Sequence, residues 1–91
     1  MGAFEDSVYE NIAKEIVAER KRQVEELGYD DIHDSMHEPT FFTALIHGYV
    51  GKASDASILG KSREDWDRNL IKAAALCIAA IEAAEFNDWG D

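Results

Sequence analysis

Cysteine and proline each occur only once in this 91-residue chain, as Cys77 and Pro39. A small domain stapled by disulfides carries an even set of spaced cysteines, so a disulfide scaffold is excluded. Cys77 lies inside the apolar run Ala73–Ile81, where a buried thiol is expected and a reactive thiolate is disfavoured. A single buried thiol fits a reducing compartment.

Long hydrophobic runs are also lacking. The longest, Ala73–Ile81, is far too short to span a bilayer. No N-terminal stretch joins a basic start to an apolar segment, so no signal peptide is expected. Together with the single thiol, these absences predict a cytoplasmic protein that has no membrane partner.

Basic residues are scarce, because nine lysines and arginines stand against 19 acids and the formal net charge is -10 at pH 7. Such a surface repels phosphate backbones, which argues against general binding to DNA or RNA. The acidity is compatible with solubility alone, or with a protein that mimics nucleic acid and blocks a basic partner. The chain also has no glycine-rich phosphate loop and no G-x-S-x-G turn.

What the chain does have is hydrophobic residues at helical spacing, which predict a single all-α domain over residues 1–91. Three main helices are expected in a small bundle, over residues 4–27, 39–51 and 62–86. Ser7 and Glu10 have the spacing of a capping box near the start of the first helix. Gly28 can end that helix in the left-handed conformation.

The second and third helices have their own boundary signals. Pro39 suits the first turn of the second helix, and Gly51 is expected to end it. Residues 52–61 have the composition of a connection, with room for a short turn at Ala53–Ile58. Ser62 is expected to cap the third helix, with Asp65 as the second member of a capping-box variant.

The apolar face of the first helix contains two polar residues, Arg20 and Gln23. At ~100° per residue, this face carries Tyr9, Ile12, Ala13, Ile16, Val24 and Leu27. A guanidinium on such a face is costly unless it is paired, so a carboxylate or an anionic ligand should oppose Arg20. The carboxylate could come from the following loop or from another subunit. A buried Arg–Asp pair that closes the loop onto the helix would leave Arg20 a purely structural role.

The third helix is apolar over most of its circumference. Its polar side, near Asp65, Arg68, Lys72 and Glu82, is narrow. Such a helix must be covered from more than one direction, and two other helices are not expected to suffice. A homo-oligomer is therefore predicted. The alternative is a central core helix in a monomer.

The segment between the first two helices concentrates acids and histidines, including His33-Asp34-x-x-His37. Two histidines four residues apart share one face of a helix, where both could bind one divalent metal ion. Asp34 could be a third ligand, or it could orient one of the imidazole rings by accepting a hydrogen bond from the ring nitrogen that does not bind the metal. The alternative is that both rings hydrogen-bond neighbouring backbone.

Acidic pairs occur on two helices, as Glu15-x-x-x-Glu19 on the first and Glu82-x-x-Glu85 on the third. The all-α nucleotide pyrophosphohydrolases hold magnesium through paired acidic motifs on facing helices, E-x-x-E with E-x-x-D. The similarity is one of architecture, because the spacing here is not that of the family. Ordinary surface pairs with neighbouring basic residues are the alternative.

Five short motifs follow one another along the chain: E-R-x-R-Q at 19–23, G-Y at 28–29, H-D-x-x-H at 33–37, L-x-K-A-A-A-L at 70–76 and I-E at 81–82. In order and spacing they resemble a family of small all-α proteins encoded mainly by bacteriophages and prophages, with an unsettled activity. The resemblance covers roughly residues 16–82. It implies a phage accessory protein in the bacterial cytoplasm that works on nucleotides or against host defence. Ser35 stands where an acid often follows the His-Asp pair, and Phe41-Phe42 makes the second helix more aromatic.

These features predict functions of different classes. One is a binding protein that holds a nucleotide-like or other phosphorylated small ligand, and so sequesters a host defence signal. Its ligand-binding residues would be Arg20, Gln23, Tyr29, Lys72 and Arg68. Another is a metal-dependent nucleotide hydrolase, in which the ion activates water. Its metal ligands would be Glu19, His33, Asp34 and His37.

A third candidate, an acidic protein that blocks a host protein, depends on charge alone. The binding protein is favoured over an enzyme, because the chain lacks a proper acidic motif for magnesium.

Overall fold

The computed structural model describes residues 5–28 and 39–87. They form three α-helices, which are α1 (Asp6–Leu27), α2 (Pro39–Ile58) and α3 (Arg63–Asn87). No strand occurs in these two segments, so the predicted all-α class and the number of main helices are confirmed. None of the helices in the described segments combines the length and the apolar content needed to cross a membrane.

Several helix ends follow local chemistry as predicted. Gly28 caps α1 with φ 72°, and its N–H donates to the carbonyl of Gln23. The helix α2 begins at Pro39, which has no N–H to leave unpaired. Ser62 caps α3, because its Oγ accepts a hydrogen bond from the backbone N–H of Asp65 at 3.2 Å.

The start of α1 differs from the predicted capping box. The helix begins at Asp6, and Glu5 is the N-cap residue without a side-chain cap bond. Ser7 is therefore already inside the first turn and does not cap it. Asp6 supplies a negative charge near the positive end of the helix dipole instead.

The predicted end of α2 at Gly51 is wrong, because the helix continues to Ile58. A glycine inside a helix costs only about 1 kcal/mol, and packing beyond it outweighs that cost. Ala53 and Ala56 are both buried. The helix ends in a Schellman turn at Gly60, whose φ is 69°, with the Lys61 N–H bonded to the Ala56 carbonyl at 2.8 Å.

The hydrophobic core lies between α2 and α3. Its centre is Phe42, packed against Ala79 and Ala83, with Phe41 and Ala80 at the margin. Among the residues whose burial the structure describes, all the buried hydrophobic ones belong to these two helices: Phe42, Ala53, Ala56, Ala73, Ala75, Leu76, Ala79 and Ala83. Six of these eight are alanines, which let the two helix backbones approach closely.

The helix α1 packs on α3 but buries much less. Gln23 is its one buried residue, with 2% of its surface exposed. The expected burial of the whole apolar face is wrong, because Tyr9, Ile12 and Leu27 are each about half exposed. The physical reason is that no element among the described residues covers the first half of α1.

The helix α3 is covered on two sides and open on a third. Its contacts with α1 include Lys72 and Glu82, and the core residues Ala79 and Ala83 face α2. On the remaining side Cys77 is exposed, so its expected burial is wrong. The apolar part of the circumference of α3 is therefore wider than α1 and α2 cover, as the sequence predicted.

Candidate functional site

A polar contact joins α1 to α3 around Gln23. Its Nε2 donates to the carbonyl of Lys72 at 3.4 Å and to Oε2 of Glu19 at 3.3 Å. Both partners are acceptors only, so they fix which end of the amide is nitrogen. Oε1 then points the other way, where it is buried without a hydrogen-bond donor among the described residues. Such an atom is costly, by about 1–3 kcal/mol.

Glu19 is held by Arg22 on the same face of α1. The guanidinium meets both carboxylate oxygens, with Nε 2.9 Å from Oε1 and NH2 2.8 Å from Oε2. Hydrogen bonding from Arg22 is the main cause that lowers the pKa of Glu19, and the charge of Lys72 adds to it. The pKa of Arg22 is raised by its bonds to Glu19 and Glu26. A metal ion that binds Glu19 would have to displace the guanidinium of Arg22 from both carboxylate oxygens.

Arg20 faces a carboxylate, as its position on the apolar side required. Its Nε lies 3.5 Å from Oε1 of Glu82 on α3. The Arg20 side chain is 12% exposed, whereas that of Glu82 is 58% exposed. The pair therefore ties α1 to α3 within one chain, and among the described residues Glu82 is a carboxylate that opposes Arg20.

Two lysines from different helices meet one aromatic ring. The Nζ of Lys52 on α2 lies 5.0 Å from the ring centroid of Tyr49, and the Nζ of Lys72 on α3 lies 5.6 Å from it. We call Tyr49, Lys52 and Lys72 the lysine–tyrosine cluster. Neither ammonium has a carboxylate within 4.0 Å in the described part of the chain.

Two cavities border the lysine–tyrosine cluster. The described residues that line one of about 160 Å³ all belong to α2, and they include Gly48, Tyr49 and Lys52. The other, of about 320 Å³, lies between α2 and α3, and its lining residues are Lys52, Asp55, Ala56, Lys61, Asp65 and Asn69. Lys52 stands at the border of both, so a ligand in either cavity would meet its ammonium.

A larger, acidic groove of about 590 Å³ separates α1 from the first turns of α3. Its lining residues are Glu15, Glu19, Arg63, Glu64, Asp67, Arg68 and Ile71. Arg63 binds Asp67 at 3.2 Å, and Arg68 binds Glu64 at 2.8 Å. The acids of α3 that share a groove with Glu15 and Glu19 are thus at 64 and 67, and the predicted pairing with Glu82-x-x-Glu85 is wrong.

The predicted ligand-binding residues are only partly brought together. Gln23 and Lys72 meet through the Lys72 carbonyl, whereas Arg20 and Arg68 each face a carboxylate elsewhere. Tyr29 lies outside the described residues, as do three of the predicted metal ligands, His33, Asp34 and His37. Within the described segments, no three metal-binding side chains are grouped closely enough to hold an ion.

Tyr49 and Lys52 were not identified from the sequence. Their i, i+3 spacing places them on one helical face, but this holds only if the helix continues through Gly51. The contact with Lys72 depends on how α2 packs on α3, which no local pattern contains.

Comparison of the chain with models of protein families, with curated proteins and with solved structures found no match in any of the three.

Proposed function

We propose that the chain is a binding protein for a small phosphorylated, nucleotide-like ligand, and that the lysine–tyrosine cluster receives the phosphate. The observation that carries the proposal is the pair of ammonium groups on one tyrosine ring, neither of which forms an ion pair within 4.0 Å with a carboxylate of the described residues. In a chain of net charge -10, two cations in contact with the same ring are unusual. They favour an anion at this place.

The energies of the two kinds of contact favour transfer of the lysine ammonium groups from the tyrosine ring to a phosphate. A cation over an aromatic ring at a partly exposed site contributes about 0.5–1 kcal/mol. A hydrogen bond from an ammonium to a charged acceptor contributes about 1.5–3 kcal/mol. A phosphate would therefore draw the ammonium groups of Lys52 and Lys72 off the ring. The uncovered face of Tyr49 could then stack on a base.

Gln23 would act indirectly in this scheme. Its amide nitrogen holds the backbone carbonyl of Lys72, which fixes α1 against the part of α3 that carries the lysine. Its unpaired Oε1 marks a place where a donor is missing. Arg20 and Arg68 would have to leave their carboxylates to reach a ligand, and Tyr29 stays a prediction from the sequence.

The biological role follows from the resemblance to phage proteins. We propose that the chain acts in the bacterial cytoplasm as a phage accessory protein, where binding would sequester a nucleotide used as a host defence signal. Self-association into a homo-oligomer is part of the same proposal. The support for the phage accessory role and for the self-association comes from the sequence features described above.

A metal-dependent nucleotide (pyro)phosphohydrolase is the second candidate. Its support is the groove in which Glu15 and Glu19 of α1 line the same space as Glu64 and Asp67 of α3. Its predicted metal ligands remain Glu19 with His33, Asp34 and His37. The arginines that already occupy three of the four groove acids would have to move before an ion could bind.

A protein-blocking inhibitor is the third candidate. Its support is the net charge of -10 alone. It requires tight, salt-sensitive binding to a basic protein and no small-molecule ligand.

Calorimetric titration with nucleoside triphosphates, cyclic dinucleotides and inorganic pyrophosphate tests the first proposal. Lys52→Gln and Lys72→Gln remove one ammonium each and keep most of the side-chain stem. We expect each to weaken the best ligand about tenfold, since one charged hydrogen bond is lost. The matched control is Lys21→Gln, which removes the same charge from an exposed position on α1.

The ligand recovered after denaturation decides between the candidates. Intact ligand, found by mass analysis with or without magnesium, manganese or zinc, supports the binding protein. Metal-dependent cleavage products support the hydrolase. If no phosphorylated compound binds, or if Lys21→Gln weakens binding as much as Lys72→Gln, the proposed site is wrong.

A further inference from the structure

One side of α3 presents an apolar strip that neither α1 nor α2 covers. The strip runs along the helix at spacings of three and four residues, as Trp66, Leu70, Ala74, Cys77 and Ile81, which we call the outer face of α3. Ile81 is 63% exposed, and Trp66 and Cys77 are also exposed. Leu70 and Ala74 are half-buried. Such a strip has the seam geometry that pairs helices.

We propose that a second copy of this chain covers the outer face, with the two α3 helices packed antiparallel about a two-fold axis. The strip is nearly the same when read in either direction from a centre between Ala74 and Cys77. Leu70 of one copy would then lie opposite Ile81 of the other. The two small residues would meet in the middle, where they let the helices approach closely. A two-fold interface requires this self-complementarity.

Charge at the two ends of the strip is complementary in this arrangement. Arg63 stands in the first turn of α3; its side chain is 82% exposed, and its guanidinium carbon lies 5.8 Å from the ring centroid of Trp66 at the end of the strip. Glu85, also exposed, stands near the other end. Antiparallel pairing brings Glu85 of each copy close to Arg63 and to the positive helix terminus of the other copy. Parallel pairing would place like charges together.

The acids around Arg63 do not oppose this contact. Glu64 is bound to Arg68, and Asp65 lines the cavity toward α2. Asp67 is bound to Arg63. The strip is only about 23 Å long, because Trp66 and Ile81 are 15 helical rises of about 1.5 Å apart. A small interface of this kind predicts a weak dimer that dissociates on dilution.

Analytical ultracentrifugation of the ligand-free chain over a wide concentration range tests the proposal. Ile81→Lys should weaken dimerisation about tenfold or more, because it puts a charge into the seam. The matched control is Ile58→Lys, an isoleucine that is 79% exposed at the end of α2 and lies off the strip. Circular dichroism checks that both variants keep their helices.

Charge exchange tests the antiparallel register. Arg63→Glu alone should weaken the dimer several-fold, and Arg63→Glu combined with Glu85→Arg should restore it, as expected for one exposed ion pair per end. A bifunctional maleimide should cross-link the wild-type chain through Cys77, which is the only cysteine in the sequence. Ile81→Lys should suppress that product.

Several results would overturn the proposal. They are a monomer at every concentration, an equal effect of Ile58→Lys and Ile81→Lys, or a double charge variant that fails to recover. Binding of a different protein or of vesicles to the strip, in place of a second copy, would also overturn it. None of these measurements uses a ligand, so the proposal stands or falls separately from the phosphate site.

Discussion

The α2–α3 pair and α1 are held in place by different physics. Alanines and Phe42 pack α2 against α3, where shape and burial decide the fit. The contact of α1 depends instead on a buried amide and on the Arg20–Glu82 ion pair. Burial supplies most of the stability in a small domain, whereas polar contacts supply orientation. The pair should therefore be the stable unit, and α1 a precisely placed but weaker addition.

The largest expected effect is loss of the α2–α3 core. Phe42→Ala removes a side chain that is fully buried against Ala79 and Ala83. We expect a loss of about 3–5 kcal/mol in the free energy of unfolding, which is most of the stability of such a domain. Urea denaturation measures it. Ile58→Ala, at an exposed position, serves as the control and should cost less than about 0.5 kcal/mol.

The second effect concerns the buried amide of α1. Gln23→Glu places a carboxylate beside Glu19 and the Lys72 carbonyl, with no donor to replace the lost N–H. We expect about 3 kcal/mol of destabilisation and faster hydrogen exchange in α1 than in α3. Gln23→Met keeps the shape and removes the unpaired Oε1, so it should cost about 1 kcal/mol or less. Equal losses from both variants would show that packing alone matters at this position.

The smallest effect is the pH dependence of Glu19. Its pKa is lowered in the folded chain, mainly by the hydrogen bonds from Arg22. The stabilisation is therefore fully present above the ordinary value of 4.5 and is lost as the pH falls through the lower folded pKa. Because the pair is partly exposed to solvent, we expect about 1 kcal/mol or less.

Stability measured against pH for the wild type and Glu19→Gln checks this prediction. The difference between the two chains should be largest at neutral pH and should shrink on acidification. A difference that is constant down to strongly acidic pH would contradict the role given to Arg22.

The sequence predicted the features that local chemistry controls. Gly28, Pro39 and Ser62 mark helix ends because each satisfies or removes a backbone group at that position. The end of α2 was predicted wrongly because the burial of Ala53 and Ala56 beyond Gly51, and not Gly51 itself, decides it. Local propensity is routinely outweighed by packing of this kind.

In the candidate site, too, features that depend on packing between helices were not predicted from the sequence. The sequence identified Gln23 as a polar residue on an apolar face and Lys72 as a cation on the narrow polar side of the third helix. The two meet through the backbone carbonyl of Lys72. The sequence missed Tyr49 and Lys52, because the predicted helix ended just before Lys52. The carboxylate partner of Arg20 was expected on chemical grounds, but its identity as Glu82 depends on how α1 crosses α3.

The most direct test of the phosphate site is an NMR titration of the tyrosine rings with inorganic pyrophosphate. If Lys52 and Lys72 leave the ring of Tyr49 to bind the anion, the Tyr49 ring signals should shift with saturation, while those of Tyr9 on α1 stay fixed. The shift should vanish in the Lys52→Gln, Lys72→Gln double variant. Ring signals of Tyr49 that do not move at saturating pyrophosphate, or that move equally in the double variant, would contradict the account.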